Sequence, residues 1–187
     1  MPISPAAVSS SAMHGAVVPI ASNQPSSGTG VVTFSNIPQI YQDLRMVAYV
    51  RDTQSGTDAS TSFYYLNNNT GSSNYSFTNL YGNGTSAISD RTTNASYWNN
   101  NAAIPKAGTT SGTFGVITLD ILNYANSTTF KTGLSRAACD LNGSGTTYLT
   151  ALLWRQTAAI NTISFYPTIG FADGTTVTLY GIRTVGQ

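Results

Sequence analysis

The stretch Thr162-Ile-Ser-Phe-Tyr-Pro-Thr-Ile-Gly-Phe-Ala-Asp-Gly-Thr-Thr-Val-Thr-Leu-Tyr-Gly-Ile-Arg183 decides the fold class. Two runs of β-branched and aromatic residues, Thr162 to Tyr166 and Thr175 to Tyr180, flank a connection holding Pro167, Gly170 and the turn dipeptide Asp173-Gly174. In the second run Thr176, Thr178 and Tyr180 alternate with Val177, Leu179 and Gly181, the period of a strand with one buried side. The pattern predicts a closing pair of strands in a sheet whose other members come earlier in the chain.

Upstream, Leu44, Met46, Ala48 and Val50 form a wholly apolar face against Arg45, Val47, Tyr49 and Arg51, which predicts a core strand. Phe63 to Leu66 and Asn74 to Leu80 read as a hairpin around the polar cluster 67–73. Thr113 to Leu122 sets Ile117, Leu119 and Ile121 against Phe114, Val116 and Thr118, so partial burial of both faces is expected. Thr128 to Ala138 reads as a strand that loses its alternation at Gly133, and Thr147 to Trp154 and Ile160 to Tyr166 follow. With no helical period and no internal repeat, about eight strands predict an all-β, antiparallel, jelly-roll-like β-sandwich.

Composition supports that reading. Charged residues make up 8% of the 187 residues, against about 25% in ordinary soluble proteins. Glu is absent and Lys106 and Lys131 are the only lysines, so the usual formers of solvent-facing helices are missing. Hydrophobic residues at 41% and aromatic residues at 11% supply the core that disordered chains lack. A formal charge of +1 leaves no basic patch for nucleic acid, and no apolar run reaches the length of a membrane span. Residues 1–30, with Pro2, Pro5, Pro19, Pro25 and many Ala and Ser, predict an extended N-terminal anchoring arm, and 31–187 the sandwich. The apolar patch Val17-Val18-Pro19-Ile20 is the candidate anchor, packed on another subunit or folded back on its own domain. The N-terminus lacks the positive start and continuous apolar run of a leader, so the Asn-x-Ser/Thr triplets at Asn68, Asn74, Asn83, Asn94, Asn126 and Asn142 are expected to carry no sugar.

Catalysis needs titratable groups that converge, and few are available. His14 lies in the arm, a poor place to hold a general base, and the single Cys139 is expected to be a buried, inert thiol. Asp43, Asp120 and Asp140 are expected at turns and strand ends. No phosphate-binding glycine loop, metal-ligand spacing or nucleophile elbow occurs, so neither an enzyme nor a cofactor is expected. The section Tyr81 to Ser111 reads as a long irregular loop, a place where function concentrates. Within it Tyr97, Trp98, Asn99 and Asn100 are the candidate ligand or subunit contact: an aromatic platform beside amides suits a sugar, and the same residues suit packing anchors or a protein interface.

Four segments then carry a resemblance. Phe34-Ser-Asn-Ile-Pro-Gln-Ile-Tyr-Gln-Asp-Leu44, Asp120-Ile-Leu-Asn-Tyr-Ala-Asn126 with Lys131-Thr132, Trp154-Arg-Gln-Thr-Ala-Ala-Ile160 and Leu179-Tyr-Gly-Ile182 occur in this order. Together they resemble a β-rich set of virion proteins of tailed bacteriophages, especially those of aquatic bacteria and cyanobacteria. The resemblance spans roughly residues 33–183 and implies a jelly-roll-like module used as a capsid decoration or as a fibre or tail appendage, often trimeric, with a variable N-terminal attachment region. It implies no active site. The expectation is therefore a non-enzymatic virion structural protein, a decoration or cement subunit on the outer surface of the capsid, whose partners are the major capsid protein or other virion subunits and itself as a homotrimer. The alternative is a receptor-binding or carbohydrate-binding module of a tail or fibre that takes a host surface glycan.

Overall fold

The computed structural model describes residues 17–183, the side chains of residues 101 and 102 excepted. Among these residues there are twelve strands and no helix: β1 (Val17–Asn23), β2 (Val32–Phe34), β3 (Asp43–Val50), β4 (Ala59–Leu66), β5 (Tyr75–Gly82), β6 (Ala87–Ala95), β7 (Trp98–Pro105), β8 (Gly115–Leu122), β9 (Lys131–Asp140), β10 (Gly145–Trp154), β11 (Ile163–Tyr166) and β12 (Thr176–Ile182). They form an eight-stranded sheet ordered β1-β12-β3-β8-β9-β10-β5-β6 and a four-stranded sheet ordered β2-β11-β4-β7. Every pairing is antiparallel. The core lies between the sheets, so the chain is an all-β antiparallel sandwich of jelly-roll-like character.

Period 2 decides which side chains meet there. Leu44, Met46, Ala48 and Val50 of β3, Ile117, Leu119 and Ile121 of β8, and Val177 and Leu179 of β12 are all buried, as their alternation predicts. On β8 the second face is only partly covered, as expected: Thr118 and the preceding Phe114 are half-buried, while Val116 stays 49% exposed. The alternation of β9 also runs on through Gly133: Lys131, Gly133, Ser135, Ala137 and Cys139 all point inward. A Cβ at Gly133 would sit 3.0 Å from the Asp120 carbonyl oxygen and 3.4 Å from Cη2 of Trp98. The missing side chain is therefore the space that Trp98 fills.

Three connections differ from expectation. β4 and β5 are not a hairpin but lie in different sheets, and so do β11 and β12, because each intervening segment crosses the sandwich. The section Tyr81 to Ser111 contains β6 and β7, whose Ser, Thr and Asn residues hide their strand character from propensity. The arm is the third. Val17, Val18 and Pro19 pair with Ile182, Gly181 and Tyr180 of β12, and Ile20 packs against the core. Pro19 stands at an irregularity on the sheet edge, the position a residue without an N–H tolerates. Further along, the Ser27 N–H donates to Asp173 at 2.8 Å, and Gly28 and Phe171 join backbones at 2.9 Å. The candidate anchor is thus an edge strand of its own domain. Residues 1–16, with His14, lie outside the described residues.

The segments that carry the phage resemblance meet at one end of the sandwich. The Tyr124 phenol donates to the Pro38 carbonyl. Gln39 Nε2 donates to the carbonyls of Ile37 at 2.8 Å and Ile160 at 2.9 Å. Lys131, 1% exposed, donates to the carbonyls of Thr129 and Thr157 at 2.8 Å each. The Tyr41 ring lies on Gly181, where an added Cβ would come within 2.3 Å of it. These residues satisfy buried backbone groups of the connecting loops, so what they specify is the fold.

Burial of phenols makes the fold sensitive to alkali. Desolvation pushes Tyr75 and Tyr148 up to about 12 and Tyr64 higher still, while the Leu66 backbone bond to Tyr75 opposes the shift only in part. The folded state thus holds these protons more tightly than the unfolded chain, whose tyrosines ionise near 10. Stability is fully present below pH ~10 and is lost as pH rises from there toward 12, by about 2–3 kcal/mol for Tyr75 alone. Tyrosinate absorbance and thermal melts between pH 8 and 12 check this. A subset of the 11 tyrosines should titrate only with unfolding, and melting should begin to fall near pH 10.

Candidate functional site

β4 runs beside β7 in a register that divides the predicted contact residues. Tyr64 pairs with Trp98, Phe63 with Asn99 and Ser62 with Asn100. Since Ser62 and Tyr64 face the core, Trp98 and Asn100 face it too, and Tyr97 and Asn99 fall on the outer side of the four-stranded sheet. Trp98 is fully buried, with its indole N–H donating to the Leu153 carbonyl at 3.0 Å and its ring edge-on to Tyr75. Asn100 Nδ2 donates to the Tyr64 hydroxyl at 2.6 Å, equally deep inside. A sugar platform at Trp98 is therefore corrected: the ring has no accessible face. Trp154, 1% exposed, is also core.

Of the outward pair, Asn99 is nonetheless buried, and Tyr97 joins aromatics from other strands. Tyr97 meets Phe63 edge-on at 4.9 Å between centroids and Tyr65 at 6.1 Å, and Tyr65 meets Tyr166 of β11 at 5.3 Å. All four rings are half-buried. Beside them a cleft of about 400 Å³ is bounded by Phe63, Tyr65 and Tyr166, by Asn68 and Thr70 from the β4–β5 crossover, and by Pro167 and Thr168 after β11. Thr168 is fixed from both sides: its N–H donates to Asp52 at 3.0 Å and its hydroxyl to the Thr61 carbonyl at 2.9 Å. Asn68 turns the crossover with a positive φ of 53°, which asparagine tolerates. Partial burial raises the Tyr65 phenol, and the neighbouring phenols of Tyr97 and Tyr166 add to the shift. Sequence reasoning missed Phe63, Tyr65 and Tyr166. The alternation Phe63-Tyr64-Tyr65-Leu66 was the signal, since it sets Phe63 and Tyr65 on one side of the strand and Tyr64 and Leu66 on the other.

Most charged side chains among the described residues have structural partners. Asp120 takes Arg45 at 2.6 Å and Arg136 at 3.3 Å, Asp43 accepts the Asn123 N–H at 2.7 Å, and Asp140 accepts the Asn142 N–H at 2.8 Å. The three aspartates thus act in separate places, as ion-pair centre and turn caps. Arg155 donates to the carbonyls of Ser73 and Thr93. Cys139 is buried, and desolvation raises its thiol, which suppresses the thiolate.

The outer face of the eight-stranded sheet is of a different kind. Tyr49, Val116, Leu134, Leu149 and Leu80 are 40–56% exposed there. Cross-strand register joins Tyr49 to Val116, and joins Val47, Thr118, Arg136, Leu149 and Leu80 in one row across five strands. Tyr49 also stacks on Phe114 at 4.4 Å. The result is a broad face on which exposed apolar side chains are interleaved with Thr118 and the Arg45–Asp120–Arg136 group.

No family model matches the chain, and no curated protein does. Among solved structures, the exo-inulinase from Aspergillus awamori is similar at TM-score 0.41 and 16% identity over 89% of this chain and 30% of that one. The chain thus spans less than a third of that enzyme's length, and the likeness carries no functional inference.

Proposed function

We propose that the chain is a non-enzymatic structural subunit of a tailed-phage particle, a capsid decoration or cement protein that sits on the outer surface of the shell. The observation that carries this reading is the uncovered apolar face of the eight-stranded sheet. Monomeric proteins seldom leave such a face in water, whereas a subunit built to be covered by neighbours needs one. With a formal charge of +1, little electrostatic repulsion opposes association. The covering surface belongs to a shell protein or to further copies of the chain, and a closed three-fold ring would bury the face without generating fibres. The sequence resemblance favours the particle and the trimer, and the structural roles of the charged residues fit a protein that performs no reaction. Attachment to the shell falls to the N-terminal arm, whose β1 leaves one sheet edge unpaired.

Two outward residues test the reading. Leu80 and Leu149 are adjacent in register and support no core contact, so Leu80→Asp with Leu149→Asp should fold with its melting temperature little changed. The same variant should lose self-association by light scattering and decorate particles poorly. Full occupancy by this variant would contradict the reading, and a parent chain that is monomeric both in solution and on the particle would remove the trimer.

A further inference from the structure

We infer that the cleft on the four-stranded sheet, between Tyr65 and Tyr166 with Asn68, Thr70 and Thr168 at its rim, binds a neutral saccharide. This goes beyond the particle reading and stands on a separate surface: the apolar face belongs to the eight-stranded sheet, the cleft to the opposite side of the sandwich.

The ligand class follows from what lines the cleft. Its volume of about 400 Å³ is that of a small-molecule site. Three aromatic rings give it apolar walls, and amide and hydroxyl groups rim it, with no charged side chain in the lining. A phosphate, carboxylate or ammonium would find no countercharge there, and its desolvation would go uncompensated. A sugar ring matches the pattern: its C–H faces stack on phenols while its hydroxyls exchange hydrogen bonds with neutral donors and acceptors. Among the described residues the hydroxyls of Tyr65 and Tyr166, both in the cleft lining, make no hydrogen bond with the chain, and Tyr166 packs edge-on against Tyr65, Tyr65 against Tyr97 and Tyr97 against Phe63 at 4.9–6.1 Å. Those hydroxyls are available to a ligand, and the ring packing fixes their positions before it arrives, which lowers the entropic cost of binding. The floor is also rigid. Asp52 holds the backbone of Thr168 and Gly170, and Asn67 bridges to Ala159, Asn161 and Thr162 beneath the crossover that carries Asn68.

Oligosaccharide arrays carrying neutral and acidic glycans, followed by calorimetry with the neutral oligosaccharide that binds best, test the assignment on the isolated full chain. Binding of neutral glycans in preference to acidic ones is expected. Tyr166→Ala should weaken it about ten-fold, the loss of one stacking and hydrogen-bonding ring. Tyr166→Phe, which keeps the packing if the alanine variant folds poorly, should weaken it by a smaller factor, and Leu149→Asp on the far face should leave it unchanged. Absence of binding to every neutral glycan at millimolar concentration would overturn the proposal. So would binding indifferent to both Tyr166 variants, or self-association lost in Tyr166→Ala, which would make the cleft a contact between copies. The isolated chain reads out this site without the particle, so failure here leaves the structural-subunit reading standing, and the reverse also holds.

Discussion

Trp98→Ala should destabilise the protein by about 3–5 kcal/mol, the cost of emptying a fully buried tryptophan site. The space cannot close easily. Gly133 has no side chain to advance, the Asp120 carbonyl stands against it, and the Tyr75 hydroxyl is held by accepting from the Leu66 N–H and donating to the Asn69 carbonyl. Loss of the indole N–H also leaves the Leu153 carbonyl without that donor. Denaturant unfolding followed by far-ultraviolet circular dichroism measures the effect. A change below about 1 kcal/mol would mean that Trp98 lies outside the core. The complementary variant, Gly133→Val, should also be strongly destabilising, because its first carbon already meets a backbone oxygen that cannot yield.

The second large effect is expected at Asp52. This carboxylate is fully buried and accepts four hydrogen bonds: from the N–H groups of Gln54, Thr168 and Gly170 and from the Ser60 hydroxyl, at 2.7–3.3 Å. Its neighbour Arg51 points the other way and donates to the carbonyls of Ala107, Thr109, Thr110 and Thr113. One dipeptide after β3 therefore organises the loops on both sides of it. Asp52→Ala would strand several buried donors at once and should cost about 3 kcal/mol or more. Asp52→Asn should cost less but not nothing, because its amide can replace only one of the two accepting oxygens. Hydrogen exchange adds a local readout: protection at Thr168 and Gly170 should fall first. Because Thr168 borders the cleft, saccharide affinity should fall with it, even at temperatures where the variant is folded.

Much of the sandwich was legible because buried strands write their faces in period 2. Leu44 to Val50 and Thr176 to Gly181 read without ambiguity, since each keeps one face free of polar side chains at every second residue. β6 and β7 did not read, because Ser, Thr, Asn and Ala fill both faces of strands that rely on neighbours for their pairing. β1 was hidden by Pro19, which argues against a strand except at the edge position it occupies. The supposed hairpin and the closing pair in one sheet failed for another reason: turn residues mark where a chain bends, not whether it returns to the same sheet. At the candidate site, Tyr97 and Asn99 were found, but they were grouped with Trp98 and Asn100 as one surface. Assigning β7 as a strand would have divided them, two inward and two outward. The partners Phe63, Tyr65 and Tyr166 come from strands distant in sequence, and only the fold brings them to one face.

The measurement that bears most directly on the proposed role is an image reconstruction of a tailed-phage particle assembled in the presence of this chain, at a resolution that separates the two sheets. The account predicts the sandwich on the particle's outer surface, with Tyr49, Val116, Leu149 and Leu80 covered by a neighbouring subunit and the cleft at Tyr65 and Tyr166 turned to solvent. A particle without the subunit, or one that carries it with that apolar face open to water, would contradict the account.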